Sequence, residues 1–266
     1  MVLSIANKQL KLLLCFAVLI SILGSTGCVT TERGGVGTKA DSKKALEYSV
    51  TLARNYIRQG NWEAAKRHLR TAIKIDDSSY EVYEALALVF QNTGEFELAE
   101  ENYKKSIKLN PKFSRVRNNY ATFLYQQRRF DEAVEQLQMV VKDTLYEKRT
   151  VAYINLGRAY VQLNELKPAE DAFRRAYLMD RRNVPLMYQL AEVYFQLGDY
   201  PQSQQYYDGY RSQVKRQPAQ ALWLGIRLAN TFDNQDALSS YSLALKNLYP
   251  TSKEYLQYKN NFGGGK

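Results

Sequence analysis

Residues 80–113 read YEVYEALALVFQNTGEFELAEENYKKSIKLNPKF, and this stretch decides the fold. Leu86, Ala87 and Phe90 stand at the spacing of one helix face, and Ala99 and Tyr103 at that of a second. Gly94 separates the two runs. Small residues on each helix allow close approach, and the large ones beside them fill the space that remains. The same pattern returns along the chain. Aligning Gly60, Gly94 and Gly198 gives a period of 34 residues, with blocks beginning at Leu46, Tyr80, Ser114, Thr150, Val184 and Pro218. The third block has 36 residues, the extra two near Lys148-Arg149, and the six together cover residues 46–251.

The recurring residues are chemically specific. The eighth position holds Ala53, Ala87, Ala121, Gly157, Ala191 and Gly225; the twentieth holds Ala65, Ala99, Ala133, Ala169, Ser203 and Ala237. Bulky residues occupy the seventh, eleventh and twenty-fourth positions, among them Leu52, Tyr56 and Leu69 in the first block. With Pro111 at the thirty-second place of its block, the pattern resembles the tetratricopeptide repeat. The resemblance implies an all-α, right-handed superhelical solenoid of six helix pairs. Val140 and Tyr210, large at a position usually small, and Phe232, where a turn glycine is expected, imply looser packing around the third, fifth and sixth blocks.

Pro168, Pro185, Pro201 and Pro218 fall in first turns of predicted helices, where a missing N–H costs little. Asn61, Asp131 and Asp199 stand where second helices need caps. Residues 252–266 are read as a C-terminal cap and tail, with a short helix closing the stack. Most of the 21 tyrosines become packing residues of the repeat.

The composition removes most enzyme classes. One histidine, His68, leaves no Ser-His-Asp triad or multi-histidine zinc site in prospect. Two cysteines, Cys15 and Cys28, make no disulfide scaffold. Gly34-Gly35-Val36-Gly37 is too short for a phosphate loop. The expectation is a protein that is not an enzyme and takes no cofactor, metal or small-molecule substrate.

The first 27 residues read as a signal peptide. Lys8 and Lys11 precede Leu12–Leu23, an apolar run of twelve residues, too short to span a bilayer as a helix. Ser25-Thr26-Gly27-Cys28 then resembles the lipobox of bacterial lipoproteins, with Ser25 where that family usually has Leu. The resemblance implies an S-diacylglycerol and N-acyl (palmitate-type) lipid on Cys28. With Val29 rather than Asp following, it also implies sorting to the outer membrane, the folded body lying in the periplasm. Residues 28–45 read as a flexible tether.

The net charge of +10 falls to +8 when Lys8 and Lys11 leave. Export argues against a nucleic-acid partner. The pairs Arg128-Arg129, Arg174-Arg175 and Arg181-Arg182 read as solvated charge or, if functional, as facing anionic headgroups or an acidic protein.

In the repeat family the fifth, ninth and twelfth positions face the concave groove. Here they are Val50, Arg54 and Ile57, then Glu84, Leu88 and Gln91, then Asn118, Thr122 and Tyr125. The later blocks contribute Ile154, Arg158, Val161, Tyr188, Glu192, Phe195, Leu222, Ile226 and Ala229. Eleven of these eighteen are apolar, which suits an amphipathic or extended partner segment. The partner site is placed on Val50, Arg54, Ile57, Glu84, Leu88, Gln91, Asn118 and Tyr125, weighted toward the first two blocks.

Signal peptide, lipobox and six repeats together resemble the type IV pilus biogenesis and stability lipoproteins, the PilF/PilW family. The resemblance implies a monomeric pilotin that binds the secretin subunit and promotes its localisation and multimerisation at the outer membrane, in support of twitching motility. A lipoprotein adaptor for peptidoglycan enzymes or for the β-barrel assembly machinery is the alternative.

Overall fold

The computed structural model describes residues 39–262. Its contacts divide the chain between Ala45 and Leu46. Of the first unit only residues 39–45 are described, as the opening of a helix. The signal peptide, Cys28 and most of the tether lie outside the described residues, but Lys39 is already helical, seven residues inside the segment read as tether.

The described residues form thirteen helices and no strand. They are α1 (Lys39–Arg58), α2 (Trp62–Ile75), α3 (Tyr80–Thr93), α4 (Phe96–Leu109), α5 (Ser114–Gln126), α6 (Phe130–Lys142) and α7 (Arg149–Gln162). The remainder are α8 (Leu166–Met179), α9 (Val184–Gln196), α10 (Tyr200–Arg211), α11 (Ala219–Thr231), α12 (Gln235–Leu248) and α13 (Lys253–Phe262). Odd-numbered helices to α11 open the units and even-numbered ones close them, giving a superhelical tetratricopeptide solenoid.

The small residues form the seams. Ala53, Ala87, Ala121 and Ala191 are fully buried, as are Ala65, Ala99, Ala133, Ala169 and Ser203 opposite them. Gly157 shows why: a Cβ there would lie 2.5 Å from the ring of Phe173, itself buried at the twenty-fourth position. Val140 and Tyr210 are both buried, and Tyr210 packs on Tyr188 with ring centroids 5.5 Å apart. Their bulk fills the seam; the looser packing expected there is not seen. The fully buried Tyr103 and Tyr207 keep their hydroxyls paired, to Gln91 and Gln217, whereas the Tyr146 hydroxyl is buried without a partner. His68 is half-buried and stacks on Tyr56.

The turn inside each unit needs a left-handed residue at its fifteenth position. Gly60, Gly94 and Gly198 take it without penalty, while Arg128 and Asn164 take it at φ 61° and 59°. The sixth unit departs from the strict period. A bulky Phe resists positive φ, so Asp233 adopts it instead, one residue late. The core side of α12 slips with it, to Ser242 and Leu245; Ala237 and Tyr241, expected in the seam, are only half-buried.

Asn61 and Asp199 cap α2 and α10 as expected, through their side-chain oxygens. Asp131 does not. Arg129 holds the cap position of α6, and Asp131 lies in the first turn, where its charge meets the helix dipole. Helix α13 closes the end: Phe262 meets Trp223 of α11 edge-on at 6.2 Å, and Glu254 is buried beneath it.

Alternating helix direction gathers the turns along two edges. On one, the turns between units are joined by Ser114 donating to Asp143 and by Tyr249 donating to the Gln217 carbonyl at 2.8 Å. On the other, the turns inside units are tied by Lys66 to Glu95 at 3.1 Å and Arg129 to Glu100 at 2.6 Å. The Arg129 guanidinium holds the Glu100 carboxyl down to about 2, with Lys104 and Tyr120 adding hydrogen bonds.

Candidate functional site

The inner face of the solenoid is built from the first helices of the units. Each presents its fifth, ninth and twelfth positions to the next unit, roughly one repeat further on. Glu84 of α3 is the most buried acid of this face, at 2% exposure. Arg54 Nη2 of α1 donates to its Oε2 at 3.0 Å, and Asn119 Nδ2 of α5 to its Oε1 at 2.9 Å. Arg115 closes the ring, its Nε 3.3 Å from Oε1.

The same sideways pairing continues. Gln91 donates to Gln126 at 2.8 Å, and Asn155 Nδ2 to Asn118 Oδ1 at 3.4 Å. Arg158 of α7 faces the Gln189 amide oxygen at 2.9 and 3.0 Å. Glu192 of α9 takes two bonds from Arg227 Nη2 of α11, at 2.7 and 2.8 Å. That guanidinium also lies over the Phe195 ring, 4.4 Å from its centre.

These partners redraw the expected site. Val50 is 2% exposed and packs in the core with Ala53 and Leu69, so it offers nothing to a partner. Glu84 and Asn118 are also buried, and Arg54 and Gln91 are spent on neighbours. Ile57 and Leu88 are half-buried against the core. Of the eight residues first assigned, Tyr125 lines a hollow shared with Arg158, Val161, Tyr188, Gln189 and Glu192. An adjoining hollow adds Ala121, Thr122, Leu137 and Asn155, again against Tyr125 and Arg158. Of the eighteen groove positions only Thr122 and Arg158 are exposed, and both lie here.

Units three to five thus carry two adjoining hollows on this face, with Tyr125 and Arg158 common to both. Gln189, Arg227 and Asn119, which complete the ladder, were not among the residues assigned from sequence. Their polar character one residue beyond a groove position was the available signal. The hollow offers aromatic and aliphatic walls, one exposed guanidinium and amides: a surface for a polypeptide segment. Among the described residues no group of three His, Cys, Asp or Glu could hold a metal ion. No described helix is long and apolar enough to cross a membrane.

Comparison with known proteins agrees with this architecture. The tetratricopeptide-repeat family model matches residues 50–91, 84–146 and 154–221. The chain belongs to the tetratricopeptide-repeat family. Within it the chain is PilF/PilW-like: it is 37% identical over 243 residues to the type IV pilus assembly protein PilF of Pseudomonas aeruginosa, covering 91% of this chain and 96% of that one. A solved structure of Pseudomonas aeruginosa PilF superposes with a TM-score of 0.74 at 36% identity, over 83% of this chain and 99% of that one. PilW, a type IV pilus biogenesis factor, shares the fold with a TM-score of 0.67 at 22% identity, over 80% of this chain and 98% of its own.

Proposed function

We propose that this chain is an outer-membrane lipoprotein of type IV pilus biogenesis, a pilotin that receives the secretin subunit and promotes its assembly into the ring. The observation that carries the reading is the 37% identity to PilF across nearly the full length of both chains. It is supported by Cys28 behind a signal-like segment and by a groove suited to a polypeptide rather than to a reaction.

The mechanism is physical. A secretin subunit exposes apolar surface and strand edges before its ring closes, and such edges aggregate. The hollow of units three to five holds one segment of the subunit: apolar side chains against Tyr125, Val161 and Tyr188, a carboxylate or carbonyl against Arg158. The acyl chains on Cys28 confine this encounter to the membrane surface, which raises the effective concentration.

Replacing Cys28 by Ser tests the reading. The expected result is release of the protein from the outer membrane, with loss of secretin multimers on an unboiled gel and loss of twitching. Intact multimers with altered cell shape would favour an adaptor for peptidoglycan enzymes. General outer-membrane defects would favour the barrel-assembly machinery.

A further inference from the structure

The two edges of the solenoid differ in charge, and one edge does not spend its charge on ion pairs. In the turns between units, Lys112, Lys148, Arg181, Arg182, Lys215 and Arg216 are exposed, and among the described residues none pairs with a carboxylate. They lie beyond the last helical turns, so neutralising helix C-termini does not account for them. The other arginine pairs make the contrast. Arg129 binds Glu100 and Glu132, and Arg174 and Arg175 fold onto Asp171. Arg181-Arg182 has only Asp180 beside it, which accepts from the Arg182 backbone N–H.

Of the other carboxylates of this edge, Asp77 and Glu147 are exposed, while Asp76 and Asp143 are occupied in turning the chain. Asp76 accepts from Ser78, and Asp143 from Ser114 and the Leu145 N–H. The opposite edge carries Glu95, Glu97, Glu165, Asp199, Asp233 and Asp236. In the middle of the basic edge Leu145 is 90% exposed, in the turn between Lys142 and Lys148. A bare leucine in a turn that Asp143 and Glu147 share with Lys142 and Lys148, on an edge where cations are in excess, suits the boundary between headgroups and acyl chains.

Connectivity supplies an independent argument. Within the body each first helix runs from this edge, and the body's own chain begins there, at Leu46. We propose that the edge formed by the turns between units rests on an anionic phospholipid surface, with Leu145 entering the headgroup layer. The groove then opens sideways along the membrane, where an arriving subunit can reach it. Which membrane is involved rests on the lipoprotein reading; the binding itself does not.

The chain from Val29 onward keeps every described helix and the cores they form, and it lacks the acylated cysteine. It is sedimented with vesicles of phosphatidylcholine alone or with phosphatidylglycerol added. The expected result is binding only to the anionic vesicles, abolished by high salt. Each cation removed near the surface weakens partitioning about fivefold, so Lys148→Glu, Arg181→Glu and Arg182→Glu together lose at least about a hundredfold. Circular dichroism should match the parent, since none of the three has a partner to lose. Glu97→Lys, Glu165→Lys and Asp236→Lys on the other edge should not weaken binding. No preference for phosphatidylglycerol, or a triple variant that binds like the parent, would overturn the proposal. So would normal vesicle binding by that variant with secretin capture lost, which would make the edge an acidic protein's site. Acylation is read separately, from the mass of Cys28 peptides of the full chain in cells, so the two readings fail independently.

Discussion

The inner face of units one and two and that of units three to five use the same positions of the same repeat to opposite effect. In the first pair, Arg54 and Glu84 meet each other and, from unit three, Arg115 and Asn119, which closes the surface, with Val50 drawn into the core. In units three and four the ninth positions, Thr122 and Arg158, stay exposed beside Tyr125, Arg158 even with Gln189 next to it, while Glu192 of unit five is paired with Arg227. Position in the repeat thus sets direction, and the partner available on the next helix sets whether a side chain remains free. A buried carboxylate among guanidinium groups ties units together, while an exposed threonine leaves room for a ligand.

Substitutions should separate the two regions sharply. Val50→Asp buries an unpaired carboxylate and should cost about 3–5 kcal/mol, read as loss of the first unit in hydrogen exchange while later units stay protected. Glu84→Ala leaves two arginines facing each other; because both are partly solvated, about 2 kcal/mol is expected in urea denaturation. Thr122→Asp, at the exposed ninth position of unit three, should change stability by less than about 0.5 kcal/mol.

The tie between units two and three provides a pH test. Glu100 has its folded pKa lowered from 4.5 to about 2, chiefly by Arg129. A depressed carboxylate pKa contributes stability that is present above the unfolded value and lost as pH falls through the folded one. The loss therefore runs from roughly pH 5 to pH 2, and with partial exposure about 1–2 kcal/mol is at stake. Glu100→Gln should flatten this part of the stability profile; a profile as steep as the parent's would remove Glu100 from the tie.

The solenoid was legible because its rule is steric and local. A small residue at Ala87 or Ala99 is visible in the sequence whatever surrounds it, and so is the glycine that turns the chain at Gly94. The slip in the sixth unit was half legible. Phe232 stood out against the period, but that Asp233 would take the left-handed turn and shift α12 depends on which residue tolerates positive φ. The ladder was not legible, since Glu84 meets Asn119 only through the packing of helices 35 residues apart in sequence. Sequence alone therefore could not show that Arg54, Glu84 and Gln91, assigned to the partner site, bond their neighbours in the fold.

A photo-crosslinking residue placed at Thr122, with a second strain carrying it at the half-buried Leu88, tests the central claim most directly. In cells assembling pili, the account predicts a secretin adduct from position 122 that disappears with Arg158→Ala, and little or none from position 88. A strong secretin adduct from position 88 with none from position 122 would contradict it and return the partner site to units one and two.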